Sequence, residues 1–436
     1  MKYGLLVHKP TKNLGDDIQS YAIERFLPHV DYLIDREQIH NFSGDEDEPV
    51  AVVMAAWWMW NKWNWPPSKS IYPYFVGFHY SDNEAAKQAG CPVDYDFLTG
   101  IGARYLNAYG PIGCRDYFTR DKLRKNHVKA EFSGCITLTL PQQEKKDMGD
   151  YIVLVDVQKD VEAAIEKKAK KAGIEVKKIT HNLDRKAHME KTWEERSKNV
   201  EETLTIYQNA RCVVTRRLHC ALPCLAMGVP TLLVIHTLES VRFIPYYDWL
   251  YCCLPEQFLN GEFEYDVTNP PQNKQLHLET RSNLIQSVSD FVAGAQKMEN
   301  SERKMRRFRC SDKRIEKWRL KKLKNTNKVW DEELKQERER IDELLERCKG
   351  ELRYEELLGE IKKEDSTHKK RLKKYNNELH AKQEGLDKKL LKAQLSRLET
   401  EYYEKVMHED LRHMRKQYDF IKQLEKWDTI IQKRKQ

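Results

Sequence analysis

Up to about residue 290, the chain alternates short apolar runs with polar, helix-compatible stretches. Tyr3–His8 is one such run. A loop holding Asn13, Gly15 and Asp16 follows it, and then a helix-compatible stretch from Ile18 to Phe26. Strand, loop and helix in that order open an α/β domain. Further strands are predicted at Ala51–Ala55, Gly113–Cys114 and Cys135–Leu140, the last ending at Pro141, and polar Gln142–Asp150 reads as a linker. A second alternation then begins with a strand at Tyr151–Val157 and an amphipathic helix at Val161–Ala172 stopped by Gly173. A strand at Ile174–Ile179, a helix at Val200–Asn209 and a strand at Cys212–Thr215 continue it. His219–Met227 reads as a helix closed by Gly228, and Thr231–Ile235 as the next strand. Strands alternating with helices imply parallel sheets, and the restart near residue 150 implies two of them. In open parallel sheets ligands collect at the carboxyl ends of strands, which is where Asn13–Asp16 and Arg217–His219 fall.

The pattern changes near Ser301. No proline follows Pro271, and Lys, Glu, Arg and Leu take over at helical spacing. Leu334, Ile341, Leu345 and Leu352 fall on a 3/4 rhythm, as do Leu391, Leu395 and Leu398, and then Leu411, Met414, Tyr418, Ile421 and Leu424. This predicts long helices with imperfect coiled-coil heptads over residues 300–436, and self-association or a protein partner through them. Charge follows the same division. Of the 76 Lys and Arg and 68 Asp and Glu in 436 residues, 40 and 28 lie from Ser301 onward, leaving 36 and 40 before it. The net +8 therefore belongs to the tail, and a nucleic-acid role for the acidic front portion has no electrostatic support.

Ten cysteines include Cys212, Cys220 and Cys224 inside apolar runs, in a chain long enough to bury a core without disulfides. The first apolar run is too short for a signal peptide, and no stretch approaches the ~20 apolar residues of a membrane helix. Reduced thiols, a cytoplasmic location peripheral to the inner membrane surface and no transmembrane segment are the expectation. Cys220 and Cys224 lie one helical turn apart with no suitable histidine partner, and adjacent Cys252 and Cys253 are awkward ligands for one ion, so buried thiols are expected rather than a metal site.

The stretch Thr215-Arg216-Arg217-Leu218-His219 carries the most chemistry. A strand ends there and a helix begins, so free N–H groups and the helix dipole favour an anion. An arginine makes bidentate contact with phosphate or carboxylate, and a histidine beside it exchanges protons near neutral pH. Arg217 paired with a carboxylate in the domain interface, with His219 capping the helix, fits the local sequence as well.

Arg217-Leu218-His219, followed by Ala221-Leu222 and Gly228-Val229-Pro230, resembles the C-terminal signature of polysaccharide pyruvyl transferases. Three further stretches agree with that family in order. Thr11-Lys12-Asn13-Leu14-Gly15-Asp16-Asp17-Ile18-Gln19 resembles its Asn-x-Gly-Asp loop. Gly113-Cys114-Arg115-Asp116 resembles its Arg-Asp/Glu segment, and Ser133-Gly134-Cys135-Ile136-Thr137-Leu138 its Gly-Cys strand. The resemblance implies an α/β fold of two Rossmann-like domains facing a cleft, GT-B-like, over residues 1–148 and 149–295. It implies transfer of a pyruvyl group from phosphoenolpyruvate to two hydroxyls of a glycan or polysaccharide, with phosphoenolpyruvate as donor substrate and no cofactor. On this reading Arg217, Arg115 and, less directly, Arg242 bind the donor. His219 is the general acid and Asp16 a carboxylate near the acceptor or the cationic centre, while Asn13 and Asp17 lie on the acceptor side. The helical extension lies outside the resemblance.

Trp57, Trp58, Trp60, Trp63 and Trp65 form a dense cluster. It reads either as a platform for stacking sugar rings or as a loop packed into the core with each indole N–H satisfied. His79 reads as a buried structural histidine. Two other functions compete: a GT-B-like glycosyltransferase using a nucleotide sugar, and a non-catalytic glycan-binding scaffold assembled through the tail.

Overall fold

The computed structural model describes residues 1–44, 49–58, 65–80, 97–142, 149–297 and 308–322, with scattered helical positions between 335 and 377. The chain divides into two compact units: Met1–Met59 with Pro66–Tyr80 and Leu98–Phe308, and Trp60–Trp65 with Ser81–Phe97 and Arg309–Gln436. In the second unit residues 312–322 are helical and Trp65 packs against Phe97 at 4.8 Å. All of the heptad positions named in the tail, and Trp60 and Trp63, lie outside the described residues.

The first unit is mixed α/β with parallel sheets. Its first half runs β1 (Lys2–Val7), α1 (Leu14–Glu24), β2 (Tyr32–Asp35), β3 (Val50–Val53), β4 (Trp57–Trp58), β5 (Ile71–Tyr74), β6 (His79–Tyr80), α2 (Gly100–Tyr109), β7 (Ile112–Cys114), α3 (Tyr117–Lys125) and β8 (Ala130–Phe132). The main sheet has the order β2-β1-β3-β5, all parallel. The second half runs β9 (Tyr151–Val155), α4 (Lys159–Ala172), β10 (Glu175–Ile179), α5 (Arg185–Met189), α6 (Trp193–Asn209), β11 (Cys212–Thr215), α7 (Leu218–Ala226), β12 (Thr231–Val234), β13 (Tyr251–Cys253), α8 (Pro255–Leu259) and α9 (Leu278–Lys297). Its sheet is parallel throughout in the order β10-β9-β11-β12-β13. Strand order therefore reverses beside β1 in one sheet and beside β9 in the other, and crevices at those reversals are where such sheets bind ligands.

Local sequence explains most elements. Strands β3, β9, β11 and β12 are buried at every position, as expected of parallel strands covered on both faces. In α4 the buried Val161, Ile165 and Ala169 recur every four residues, and Gly173 closes the helix at φ 70°. Helix α6 opens on a capping box between Thr192 and Glu195. Cys135–Leu140 is not a strand but a buried 3-10 turn at Ile136–Thr139, packed among α1, α7 and α9. A short apolar run does not distinguish a buried strand from a buried turn.

The two halves share the largest core, in which Leu5, Ile18 and Val53 join Val153, Val213 and Leu222. Helix α9 returns to the first half, where Phe291 stacks on Tyr74 at 4.9 Å and Tyr3 Oη donates to the Val292 carbonyl. A buried ion cluster adds to this. Asp17, on α1, accepts from both Nε and Nη2 of Arg196 and lies 2.7 Å from His188 Nε2. Removing one member of such a cluster strands the others without solvent, at a cost of about 3–5 kcal/mol. Asp17→Ala is therefore expected to lower the thermal midpoint by several degrees in calorimetry; an unchanged midpoint would mean the carboxylate does not tie the halves together. No helix among the described residues is long and apolar enough to cross a membrane.

Candidate active site

Three strand-to-helix turns build the site. After β1, Asn13 caps α1 by accepting from Gly15 N at 3.1 Å, and its loop pairs with the second half through Leu14 N to the His181 carbonyl and Leu183 N to the Lys12 carbonyl. After β7, Arg115 precedes Asp116, which caps α3 by accepting from Thr119 N at 2.7 Å. After β11, Arg217 occupies the cap position of α7, and His219 departs from helical geometry at φ −81°, ψ 17°.

These turns bring distant side chains together. Arg115 Nη1 donates to Gln19 Oε1 and to His219 Nε2, both at 3.2 Å. A guanidinium only donates, so His219 Nε2 is an acceptor and the neutral ring carries its proton on Nδ1. Burial, then the charges of Arg115 and Arg242, hold His219 well below its ordinary pKa, against the pull of Asp16. Arg115 is 1% exposed, and its Nε has no hydrogen-bond partner among the described residues. Arg242 lies over the Trp57 ring at 5.6 Å, its Nε also unpartnered, and burial followed by repulsion from Arg115 brings its pKa down to about 10. Among the described residues neither arginine has a carboxylate within ion-pair distance.

Asp16 faces the same region from α1. Its Oδ2 accepts from Thr11 Oγ1 at 2.6 Å and lies 3.2 Å from His8 Nδ1, while Arg36 Nη2 stands 3.0 Å from His8 Nδ1 and 3.1 Å from its Nε2. Burial opposes its charge, but His8, Arg36 and Thr11 outweigh burial and hold the carboxyl well below the usual range. Gly15 lets this turn approach: a Cβ there would stand 2.9 Å from both Cβ and Nδ1 of His219. Gly15→Ala must therefore displace the imidazole, and misplacement on the ångström scale costs roughly 10²-fold in turnover. Steady-state kinetics on a variant that keeps its thermal midpoint checks this; unaltered turnover would mean the histidine's position is not critical.

The other sequence candidates fall elsewhere. Arg217 Nε donates to Asp156 Oδ2 and Nη2 to Asn182 Oδ1, both at 2.7 Å, so this arginine is neutralised where strand order reverses beside β9. The carboxylate pairing offered by its local sequence is the one formed. Asn13 serves as a cap and bridges Asn182, and Asp17 is taken up by Arg196 and His188. Trp58 is fully buried and stacks on Phe78 at 5.9 Å, which corrects its reading as a sugar platform: a side chain with no exposed face cannot stack on a ligand. Trp57 is half-buried beneath Arg242 and edge-on to His79. His79 is buried with Nδ1 2.6 Å from Asp116, and burial brings its pKa down to about 4 despite that carboxylate.

Gln19, His8, Asp156 and His181 were not singled out for chemistry. Asp156 follows β9 directly, a position that strand-end reasoning reaches; Gln19 reads locally as one more polar helix residue. His181, its Nε2 2.8 Å from Tyr207 Oη, is pushed by burial down to about 4. Among the described residues no group of three or more His, Cys, Asp or Glu could hold a metal ion.

A family model described as polysaccharide pyruvyl transferase matches residues 13–237. The chain belongs to the polysaccharide pyruvyl transferase family and is a transferase. The match spans all three turns, from Asn13 through Arg115 to His219, and stops short of Arg242. No curated protein matches the chain. Among solved structures, a functionally uncharacterized protein from Klebsiella pneumoniae is similar at 11% identity and a TM-score of 0.35, over 58% of this chain and 92% of that one. In this chain the family-matched arginine of the first half meets the family-matched histidine of the second at 3.2 Å.

Proposed function

We propose that this pyruvyl transferase moves a pyruvyl group from phosphoenolpyruvate to two hydroxyls of a sugar in a polysaccharide or glycan, forming a cyclic ketal, in a GT-B-like pairing of Rossmann-like halves. One observation carries the donor assignment: Arg115 and Arg242 are set about His219 with unbonded Nε groups and no carboxylate partner among the described residues. Charges withdrawn from water without a counter-ion are costly, and a ligand bearing phosphate and carboxylate supplies that counter-ion.

The chemistry follows from the groups present. The donor's negative charge offsets Arg115 and Arg242, the two charges that disfavour protonation of His219. Protonated His219 then delivers a proton to the methylene carbon while the first sugar hydroxyl adds to the adjacent carbon, and the imidazole recovers the proton of that hydroxyl. The C–O bond to phosphate breaks, and the second hydroxyl closes the ketal. In the balance one hydroxyl proton ends on the new methyl group and the other on released hydrogen phosphate. Asp16 is too weak a base to take a hydroxyl proton, and it acts as a fixed negative charge near the carbon that becomes positive.

Calorimetric titration with phosphoenolpyruvate beside a panel of nucleotide sugars tests the reading. Phosphoenolpyruvate alone should bind. A nucleotide sugar binding in its place would transfer the assignment to a glycosyltransferase, and binding of neither would favour a glycan-binding scaffold.

A further inference from the structure

We propose that Gln19 is a charge-separating positioning residue, whose amide stands between Asp16 and Arg115 and keeps the two from neutralising each other. The inference rests on the donor reading above. Asp16 and Gln19 lie three residues apart on α1 and so share a face. Gln19 is 3% exposed, and each end of its amide is engaged: Oε1 accepts from Arg115 Nη1 at 3.2 Å, while Nε2 donates to the Gly15 carbonyl at 3.3 Å and, more weakly, to Asp16 Oδ1 at 3.5 Å. The amide's orientation is dictated by chemistry, since Arg115 only donates and both groups facing Nε2 only accept.

A neutral spacer at this point has a definite consequence. The guanidinium gains an acceptor that fixes its direction toward His219 without losing its net charge, and Asp16 gains a donor without an ion pair. Asp16 is balanced from its other side by His8, Thr11 and, through His8, Arg36. Asp116, whose carboxylate feels the charge of Arg115, is committed to His79 at 2.6 Å and to the cap of α3. The positive charge is thus reserved for a ligand. A carboxylate at position 19 would instead pair with Arg115 and crowd Asp16. An apolar side chain of equal length would remove all three hydrogen bonds of the amide and leave the guanidinium without that acceptor.

The test compares wild-type protein with Gln19→Glu and Gln19→Met by calorimetric titration with phosphoenolpyruvate and, separately, with inorganic phosphate, recording the thermal midpoint of each. The expected order of anion affinity is Gln, then Met, then Glu. Gln19→Met should be weaker by several fold and Gln19→Glu by about tenfold or more, as expected when a buried cation acquires a competing carboxylate. The double variant Asp16→Asn/Gln19→Glu restores the net charge but not the separation and should stay weak; its return to wild-type affinity would mean that overall charge alone is responsible. Gln19→Glu binding as tightly as wild type overturns the inference. If that variant does not fold, Gln19→Met binding as tightly as wild type overturns it. Wild-type protein that binds phosphate but not phosphoenolpyruvate would sink the donor reading, and the phosphate affinities of the variants would then decide the role of Gln19. Wild-type protein binding neither anion would remove both.

Discussion

Arg115→Ala should weaken phosphoenolpyruvate binding by about 2–5 kcal/mol, roughly 30- to 4,000-fold, the loss seen when one partner of a buried, hydrogen-bonded charge pair is truncated. The magnitude follows from the side chain's surroundings. Arg115 is almost wholly buried, has no ion-pair partner among the described residues, and keeps Nε unbonded while Nη1 is aimed at His219. Its free energy of burial is recovered when an anion arrives. Arg217 differs, because Asp156 and Asn182 already occupy its Nε and Nη2. Arg217→Ala should therefore weaken the donor less, and act mainly by releasing Asp156, which also holds Thr180 and His181 N. Calorimetric titration of both variants beside wild type decides the order. A larger loss for Arg217→Ala would mean that the Asp156 pairing opens to admit the donor.

His219→Gln should retain donor binding and lose about 10²–10⁴-fold in turnover, the usual contribution of a positioned acid–base group. A separate consequence concerns protons. Burial, Arg115 and Arg242 keep His219 neutral in the free protein near pH 7, its pKa lying well below the ordinary value. An anionic donor reverses the sign of the local field and raises that pKa in the complex. Between the free and bound pKa values binding takes up a proton, so donor affinity should be full at low pH and fall as pH rises through the bound value. Titration in two buffers of different ionisation enthalpy measures the uptake directly. His219→Gln should abolish it; uptake that persists in the variant would assign the proton to another group.

The same field bears on the other histidines. His79 and His181 are each brought down to about 4, so they stay uncharged across the neutral range and contribute hydrogen bonds rather than charge. Stability should therefore fall as pH drops from 6.5 toward about 4, because across that window the unfolded chain binds protons that the folded histidines do not.

Much of this was legible in the chain itself. Hydrophobic periodicity located β1, β9, β11 and β12 to within a residue or two, because parallel strands buried on both faces read as continuous apolar runs. The family-matched segments placed Asn13, Arg115 and His219 at strand-to-helix turns, which such folds use for ligands. Other elements escaped: β2 is only partly buried, β13 has three residues, and the apolar run of the Ile136–Thr139 turn reads as a strand.

The mixed α/β fold class, the family and the kinds of group available for chemistry are written in local sequence, since each depends on neighbours within a few positions. Which cation stays free was decided only in three dimensions. Arg217 meets Asp156 across 61 positions, Arg115 meets His219 across 104, and Asp17 meets Arg196 across 179. In a low-dielectric interior the worth of a charge is set by the charges and dipoles a few ångströms away, and chain separation carries no record of those distances.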